Sequence, residues 1–135
     1  MTYVPNAAFD SVNNRINVAE NDPLSQHYVP DEIANVTGGT SDDYYISAET
    51  YTGGMLDFIL ASTPTVKIYM SCEDVAAGAD VGTYFDRTAD LAAGATITTS
   101  EQVSLDPAVV AGATWIKIEV TNSGDWQILA NRLWR

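Results

Sequence analysis

The sequence holds a single cysteine, Cys72, and a single histidine, His27. One cysteine excludes an intrachain disulfide. That usage fits folding in a reducing cytosol, and a secreted protein built without disulfides reads the same. With one histidine and no second cysteine at ligand spacing, a Cys/His zinc site cannot be assembled within one chain. Basic residues are scarce: six Lys and Arg stand against 18 Asp and Glu, a formal net charge of −12. A field of that sign repels phosphate backbones and anionic lipid, so neither nucleic acid nor membrane is expected as a partner; it is compatible with docking onto a basic protein surface, and equally with a charge that only keeps the protein in solution. Long apolar runs are missing as well. The longest, Met55 to Ala61, is interrupted by Asp57 and falls far short of the ~20 residues that cross a bilayer. The first residues lack a basic stretch followed by an apolar one, so the sequence is read as that of a soluble protein without a signal peptide.

What is present fits one domain with an appendage: 135 residues, 46% of them apolar. A chain of this size typically buries roughly two-thirds of its unfolded surface, enough for a core without staples. The charge is uneven. Residues 1–43 hold seven acids and one base, residues 44–91 seven and two, and residues 92–135 four and three, or −6, −5 and −1. The acidic leading segment also differs in pattern. Asn and Asp recur, Pro5, Pro23 and Pro30 punctuate it, and no window sustains a helical or strand period. It closes on Thr37-Gly38-Gly39-Thr40-Ser41, a hinge composition. The expected organisation is an extended N-terminal arm over 1–41 and a β-body over 42–135. Stretched out, such an arm spans roughly 130 Å at ~3.3 Å per residue.

From Asp43 the period becomes two. Tyr44, Ile46 and Ala48 share one face of a strand, and Gly53-Gly54 reads as a turn. Leu56, Phe58 and Leu60 share the face of the next strand. Thr63-Pro64 turns the chain into a strand with Val66, Ile68 and Met70 inward. Glu73 to Asp80 is an acidic small-residue loop, Thr83–Phe85 and Ala95–Thr99 are weak strands, and Glu101–Leu105 places Val103 and Leu105 together. Asp106-Pro107 followed by Gly112 brackets one helical turn. At the C-terminal end Ile116, Ile118 and Val120, the turn Asn122-Ser123-Gly124-Asp125, and Trp126, Ile128 and Ala130 read as a hairpin. Several short strands without a long helix predict an all-β protein, a β-sandwich or jelly-roll-like body carrying that arm.

Catalytic signatures are absent: no phosphate-binding loop, no nucleophile elbow and no dinucleotide fingerprint. Carboxylates are abundant, so a paired-carboxylate arrangement stays open in principle, with Glu49 and Asp57 the ones set in strands. Asp57 alternates away from Leu56 and Phe58, toward solvent or a neighbouring subunit. Glu73, Asp74 and Asp80 around one loop, and Asp42-Asp43 at the hinge, lack the spacing of a calcium loop. No catalytic, metal or cofactor site is expected. Tyr45, Tyr51, Tyr69, Trp115 and Trp134 are candidates for strand faces opposite the aliphatic ones. There they would stack on sugars, anchor an interface or cover core edges. The tail residues Arg132, Trp134 and Arg135 are basic and aromatic in an acidic chain, a composition suited to an inter-subunit latch onto a neighbour's acids.

An Asn/Asp/Pro-rich arm, Gly38-Gly39 and a compact β-body, with the terminal run from Ala113 to Trp126, resemble the small decoration or cement proteins of tailed-phage capsids. The resemblance implies a non-enzymatic virion protein on the capsid exterior, synthesised in the host cytoplasm. It implies oligomerisation, typically as a trimer, and partners in the major capsid protein or other virion subunits. It carries over no ligand or catalytic residues. An arm that clamps a neighbour needs apolar anchors, because ordering it costs ~1–2 kcal/mol per fixed residue. The candidates are Tyr3, Val4, Phe9, Val12, Ile16, Tyr28 and Ile33. A glycan-binding β-sandwich module and a tail or head-fibre component are the alternatives.

Overall fold

The computed structural model describes residues 27–48, 51–73, 79 and 82–134. Among them are eight strands: β1 (His27–Gly39), β2 (Asp42–Ser47), β3 (Tyr51–Ala61), β4 (Thr65–Ser71), β5 (Phe85–Asp86), β6 (Glu101–Leu105), β7 (Trp115–Thr121) and β8 (Gly124–Trp134). Two single-turn helices, α1 (Thr88–Leu91) and α2 (Pro107–Val110), lie in the connections. The strands form two four-stranded sheets, a first in the order β1-β8-β3-β6 and a second in the order β2-β7-β4-β5, antiparallel throughout. This is the all-β sandwich expected.

Alternation builds the core. Leu56 and Phe58 on β3, Val103 and Leu105 on β6, and Ile128 on β8 face Val66 and Ile68 on β4 and Ile116, Ile118 and Val120 on β7. All are buried to 2% exposure or less, so each contributes on the order of 1.5–3 kcal/mol of apolar burial. Pro107 opens α2, and the Asp106 carboxylate accepts a hydrogen bond from the Ala108 N–H at 2.9 Å, as the helical-turn reading expected.

The connections depart from the sequence reading. The run from Trp115 to Asn131 is not a hairpin: β7 lies in the second sheet, between β2 and β4, while β8 lies in the first, between β1 and β3. The turn at Asn122-Ser123 is therefore an arch that carries the chain across the sandwich. The connections β1–β2 and β3–β4 are arches of the same kind, and each of the three joins strands at matching positions of the two sheet orders. Gly39 opposite Gly124, and Ala61 opposite Asp125, place all three side by side at one end. Each arch holds a residue with left-handed backbone, Gly38 (φ 64°), Ser62 (φ 63°) or Asn122 (φ 75°). The Gly38 N–H donates to Asp125 Oδ1 at 2.7 Å, which ties the first arch to the third. Gly124 packs on the buried Pro64, where an added Cβ would come within 2.7 Å of the ring.

Three further expectations are corrected. Gly53-Gly54 is no turn: the pair continues β3, opposite Leu133 and Arg132, because β8 and β6 flank it and take up its backbone groups. The weak strands shrink to the two residues of β5 and to Ile97, which exchanges two 2.9 Å backbone hydrogen bonds with Val66. Most consequentially, residues 27–39 are not arm. They form β1, paired with β8 from His27–Trp134 to Gly39–Gly124, so the body begins at His27 and not at residue 42.

Candidate functional site

Side chains alternate across a strand, so residues between the core positions line the outer faces of the sandwich. On the second sheet, register places Tyr45, Lys117 and Tyr69 in one row and Asp43, Glu119 and Lys67 in the next. The Lys117 ammonium lies 5.2 Å from the Tyr69 ring centroid and 5.7 Å from that of Tyr84, with Asp43 Oδ2 at 4.0 Å. A cation over an aromatic face is held by the ring quadrupole, at ~0.5–1 kcal/mol on an exposed surface. The Tyr69 hydroxyl donates to Glu119 Oε1 at 3.2 Å. Burial, and then the neighbouring Glu119 charge, push the Tyr69 phenol above its ordinary pKa. Lys67 pairs with Asp86 at 3.7 Å. The Tyr84 hydroxyl donates to the Ala79 carbonyl. This face sets two cations, Lys67 and Lys117, among the carboxylates of Asp43, Asp86 and Glu119. Its rings close around an ammonium, and Tyr45 and Tyr84 are tilted by 57°, which is not the flat platform on which a sugar ring stacks.

The first sheet presents a different outer face. Met55 and Ile59 on β3 are 40% and 46% exposed, with the half-buried Leu129 of β8 beside them. Among them sit two carboxylates. Glu32 Oε2 accepts from the Gln127 amide at 2.8 Å, and Asp57 Oδ1 accepts from the Gln102 amide at 2.9 Å. These amides orient the carboxylates without neutralising them. The three ion pairs among the described residues use Lys67, Arg87 and Lys117, all in or beside the second sheet. The first-sheet face is thus an apolar strip set among oriented anions.

The expected arm anchors separate into three groups. Tyr3, Val4, Phe9, Val12 and Ile16 lie outside the described residues. Tyr28 sits in β1 opposite Leu133. Ile33, at a β1 bulge, packs on the protein's own core, which corrects its reading as an anchor for a neighbour. The expected latch is not a loose tail either. Arg132 pairs along the backbone with Val29 and Gly54, and Trp134 with His27 and Tyr51, so both belong to the central strand β8; Arg135 lies outside the described residues. Of the carboxylates weighed for catalysis, Asp57 is on the first-sheet face and Glu49 lies outside the described residues. Most of the acidic loop at 73–80 also lies outside them, and Glu73 accepts the Thr83 N–H at 2.8 Å. Among the described residues no cluster of three His, Cys, Asp or Glu side chains is placed to hold a metal ion. Sequence reasoning missed Lys117, Tyr84, Met55, Ile59 and Leu129. Outward alternation marked four of them one strand at a time, and only the strand order brings them into shared rows.

No protein-family model matches the chain, and no curated protein matches it. Among solved structures the fold is similar to that of the SPBc2 prophage-derived protein YomS. The TM-score is 0.54 at 13% sequence identity, over 80% of this chain and 94% of that one, which is a likeness of fold.

Proposed function

We propose that the chain is a non-catalytic structural protein of a phage virion, a decoration or cement protein on the capsid exterior that joins neighbouring capsid subunits. The observation that carries this reading is the first-sheet face, where Met55, Ile59 and Leu129 stand among the carboxylates of Glu32 and Asp57. A partner with basic groups around an apolar centre satisfies both parts of it, and charge complementarity would set the register of docking. The fold likeness to a prophage-derived protein supports the phage setting. In this reading the major capsid protein or another virion subunit meets that face. Residues 1–26 then supply a tethered second contact, whose effective concentration reaches the millimolar range for a short flexible link.

Electron microscopy of purified particles decorated with the full chain, with Ile59→Glu, and with residues 1–26 removed tests the proposal. Density at capsomer junctions is expected for the full chain, with reduced occupancy for both variants. Density on the tail or on fibres would move the assignment to those components. Full occupancy by Ile59→Glu would remove the face from the argument. The glycan-binding reading keeps one supporting feature, the half-buried Tyr45, Tyr69 and Trp115 on the second sheet. Glycan binding lost on Trp115→Ala would favour it.

A further inference from the structure

Strand register turns the outer face of the first sheet into rows that cross the strands. One row reads Glu32 on β1, Leu129 on β8, Asp57 on β3 and Gln102 on β6. Neighbouring strands lie ~4.8 Å apart, so Glu32 and Asp57, two strands apart, stand about 9.5 Å from one another with Leu129 midway. Along β3, the exposed Met55 and Ile59 flank Asp57 at ~6.8 Å on either side.

Each carboxylate of the row is half used. Gln127 donates to Glu32 Oε2 and Gln102 to Asp57 Oδ1, which leaves Glu32 Oε1, Asp57 Oδ2 and the carbonyl oxygens of both amides as acceptors. Among the described residues no ion pair reaches either carboxylate. Asp31 and Glu101, at the two flanks of the sheet, are acids as well, so the row lies in a negative field. Asp57 also has room beside it, a hollow of about 190 Å³ against Met55 and Leu129 and one of about 320 Å³ against Ile59 and Ser100. A group that fits here donates to a carboxylate and an amide carbonyl together and brings apolar surface with it. A guanidinium does so, with five N–H donors in a planar, weakly hydrated fork on an aliphatic stem. An ammonium donates from one strongly hydrated point.

We infer that this row seats a basic amphipathic helix of the partner, laid across β1, β8 and β3, with arginines at i and i+7 on Glu32 and Asp57 and apolar side chains at i+3 and i+4 over Leu129. The inference rests on the reading of this face as the docking surface. A helix rises about 1.5 Å per residue and places i and i+7 on one face about 10.5 Å apart, close to the spacing of the row. An extended segment places same-face residues ~6.8 or ~13.6 Å apart and matches it less well.

The probe is an alanine-rich peptide of about 18 residues carrying arginine at i and i+7 and leucine at i+3 and i+4. Titrated to about 1 mM into the isotope-labelled full chain, it should shift the amide resonances of Glu32, Asp57, Gln102 and Leu129 and leave those of β2 and β7 in place. Glu32→Gln with Asp57→Asn, isosteric changes on the outer face, should weaken binding at least ~10-fold with an unchanged circular dichroism spectrum. Asp42→Asn with Asp43→Asn removes the same charge from the second sheet and should weaken it less than ~3-fold. Moving the second arginine to i+5, on the far side of the helix, should cost at least ~10-fold, and lysine at both positions ~3-fold or more. No binding, shifts confined to the second sheet, equal losses from the two double variants, or equal affinity for the displaced-arginine peptide would overturn the inference. Particle occupancy is a separate reading. Occupancy that falls with Ile59→Glu while the peptide fails to bind removes the helix and leaves the capsid reading in place. Peptide binding at the row with occupancy indifferent to Ile59→Glu does the reverse.

Discussion

Removing residues 1–41 would take away the whole of β1. Ten residues of β1 are in register with β8, and Ile33, Ala34 and Val36 close that flank of the core. What the remainder loses sets the magnitude. Trp126, 3% exposed beside Val36 in the ladder, would gain a water-facing flank, and Ile128 would lose its neighbour Ala34. Exposing roughly 100–150 Å² of apolar surface costs ~2.5–4 kcal/mol at 25 cal/mol per Å². The lost ladder adds a few tenths to one kcal/mol for each bond, partly offset because the deleted residues no longer pay their own ordering entropy. A net loss of about 4 kcal/mol is a large share of a typical 5–15 kcal/mol stability, and lowers Tm by roughly 20 °C for a body of this size. It also leaves the long edge of β8 open to strand pairing between molecules. Deletion of residues 1–26 touches none of these contacts. Thermal melts followed by far-UV circular dichroism should therefore separate the two truncations, the shorter deletion matching the full chain and the longer one melting far lower or aggregating. A cooperative melt of the longer deletion within about 3 °C of the full chain would refute this account of β1.

The fully buried Thr88 hydroxyl accepts the Ile68 N–H at 2.8 Å and donates to Asp86 Oδ1 at 2.7 Å, closing the edge of β4. Thr88→Val should cost about 2–3 kcal/mol in urea unfolding by stranding that N–H, while Thr88→Ser, which keeps the hydroxyl, should cost about 1 or less. The Thr88 backbone and hydroxyl hydrogen bonds, and then Lys67, hold the Asp86 carboxyl below its ordinary pKa. The stability this contributes is complete above the ordinary carboxylate value and fades as pH falls from about 4 through the lowered folded value. Asp86→Asn should flatten that acid limb of the stability–pH curve, and an unchanged limb would assign it to other carboxylates. At Gly39 an added Cβ would sit 2.4 Å from the Trp126 ring, so Gly39→Ala should lower stability by about 1–3 kcal/mol. Gly38→Asn should be tolerated in the same melts, because that site is left-handed with open space around it.

The inward residues were legible because alternation depends only on neighbours along the chain. Val66, Ile68 and Met70 on β4, and Ile116, Ile118 and Val120 on β7, are buried as their period required. Strand partners were not legible. A turn such as Asn122-Ser123-Gly124 supplies left-handed backbone equally to a hairpin and to an arch. In both, Val120 and Trp126 point inward, on one sheet in the first case and from opposite sheets in the second. What distinguishes them is the packing of Gly124 on Pro64, 60 residues away in sequence, and no local signal carries that. The tyrosine–lysine row was hidden for the same reason, since Tyr45, Lys117 and Tyr69 become neighbours only in the order β2-β7-β4.

The misreading of residues 27–39 has a more instructive cause. Pro30, the acids Asp31 and Glu32, and an alternation broken between Glu32 and Ala34 made the stretch look unable to pair. Each is what an edge strand needs. Proline is tolerated where only one side of the strand is bonded, and here Pro30 faces Asn131 on β8 alone. Charge and bulges on an edge discourage a further strand from adding to it. The features that mimic an unstructured arm are thus devices that end the first sheet at β1. By the same reasoning a partner is discouraged from extending the first sheet at the β1 edge, so the docking proposed above uses the broad face around Met55 and Ile59 and not that edge.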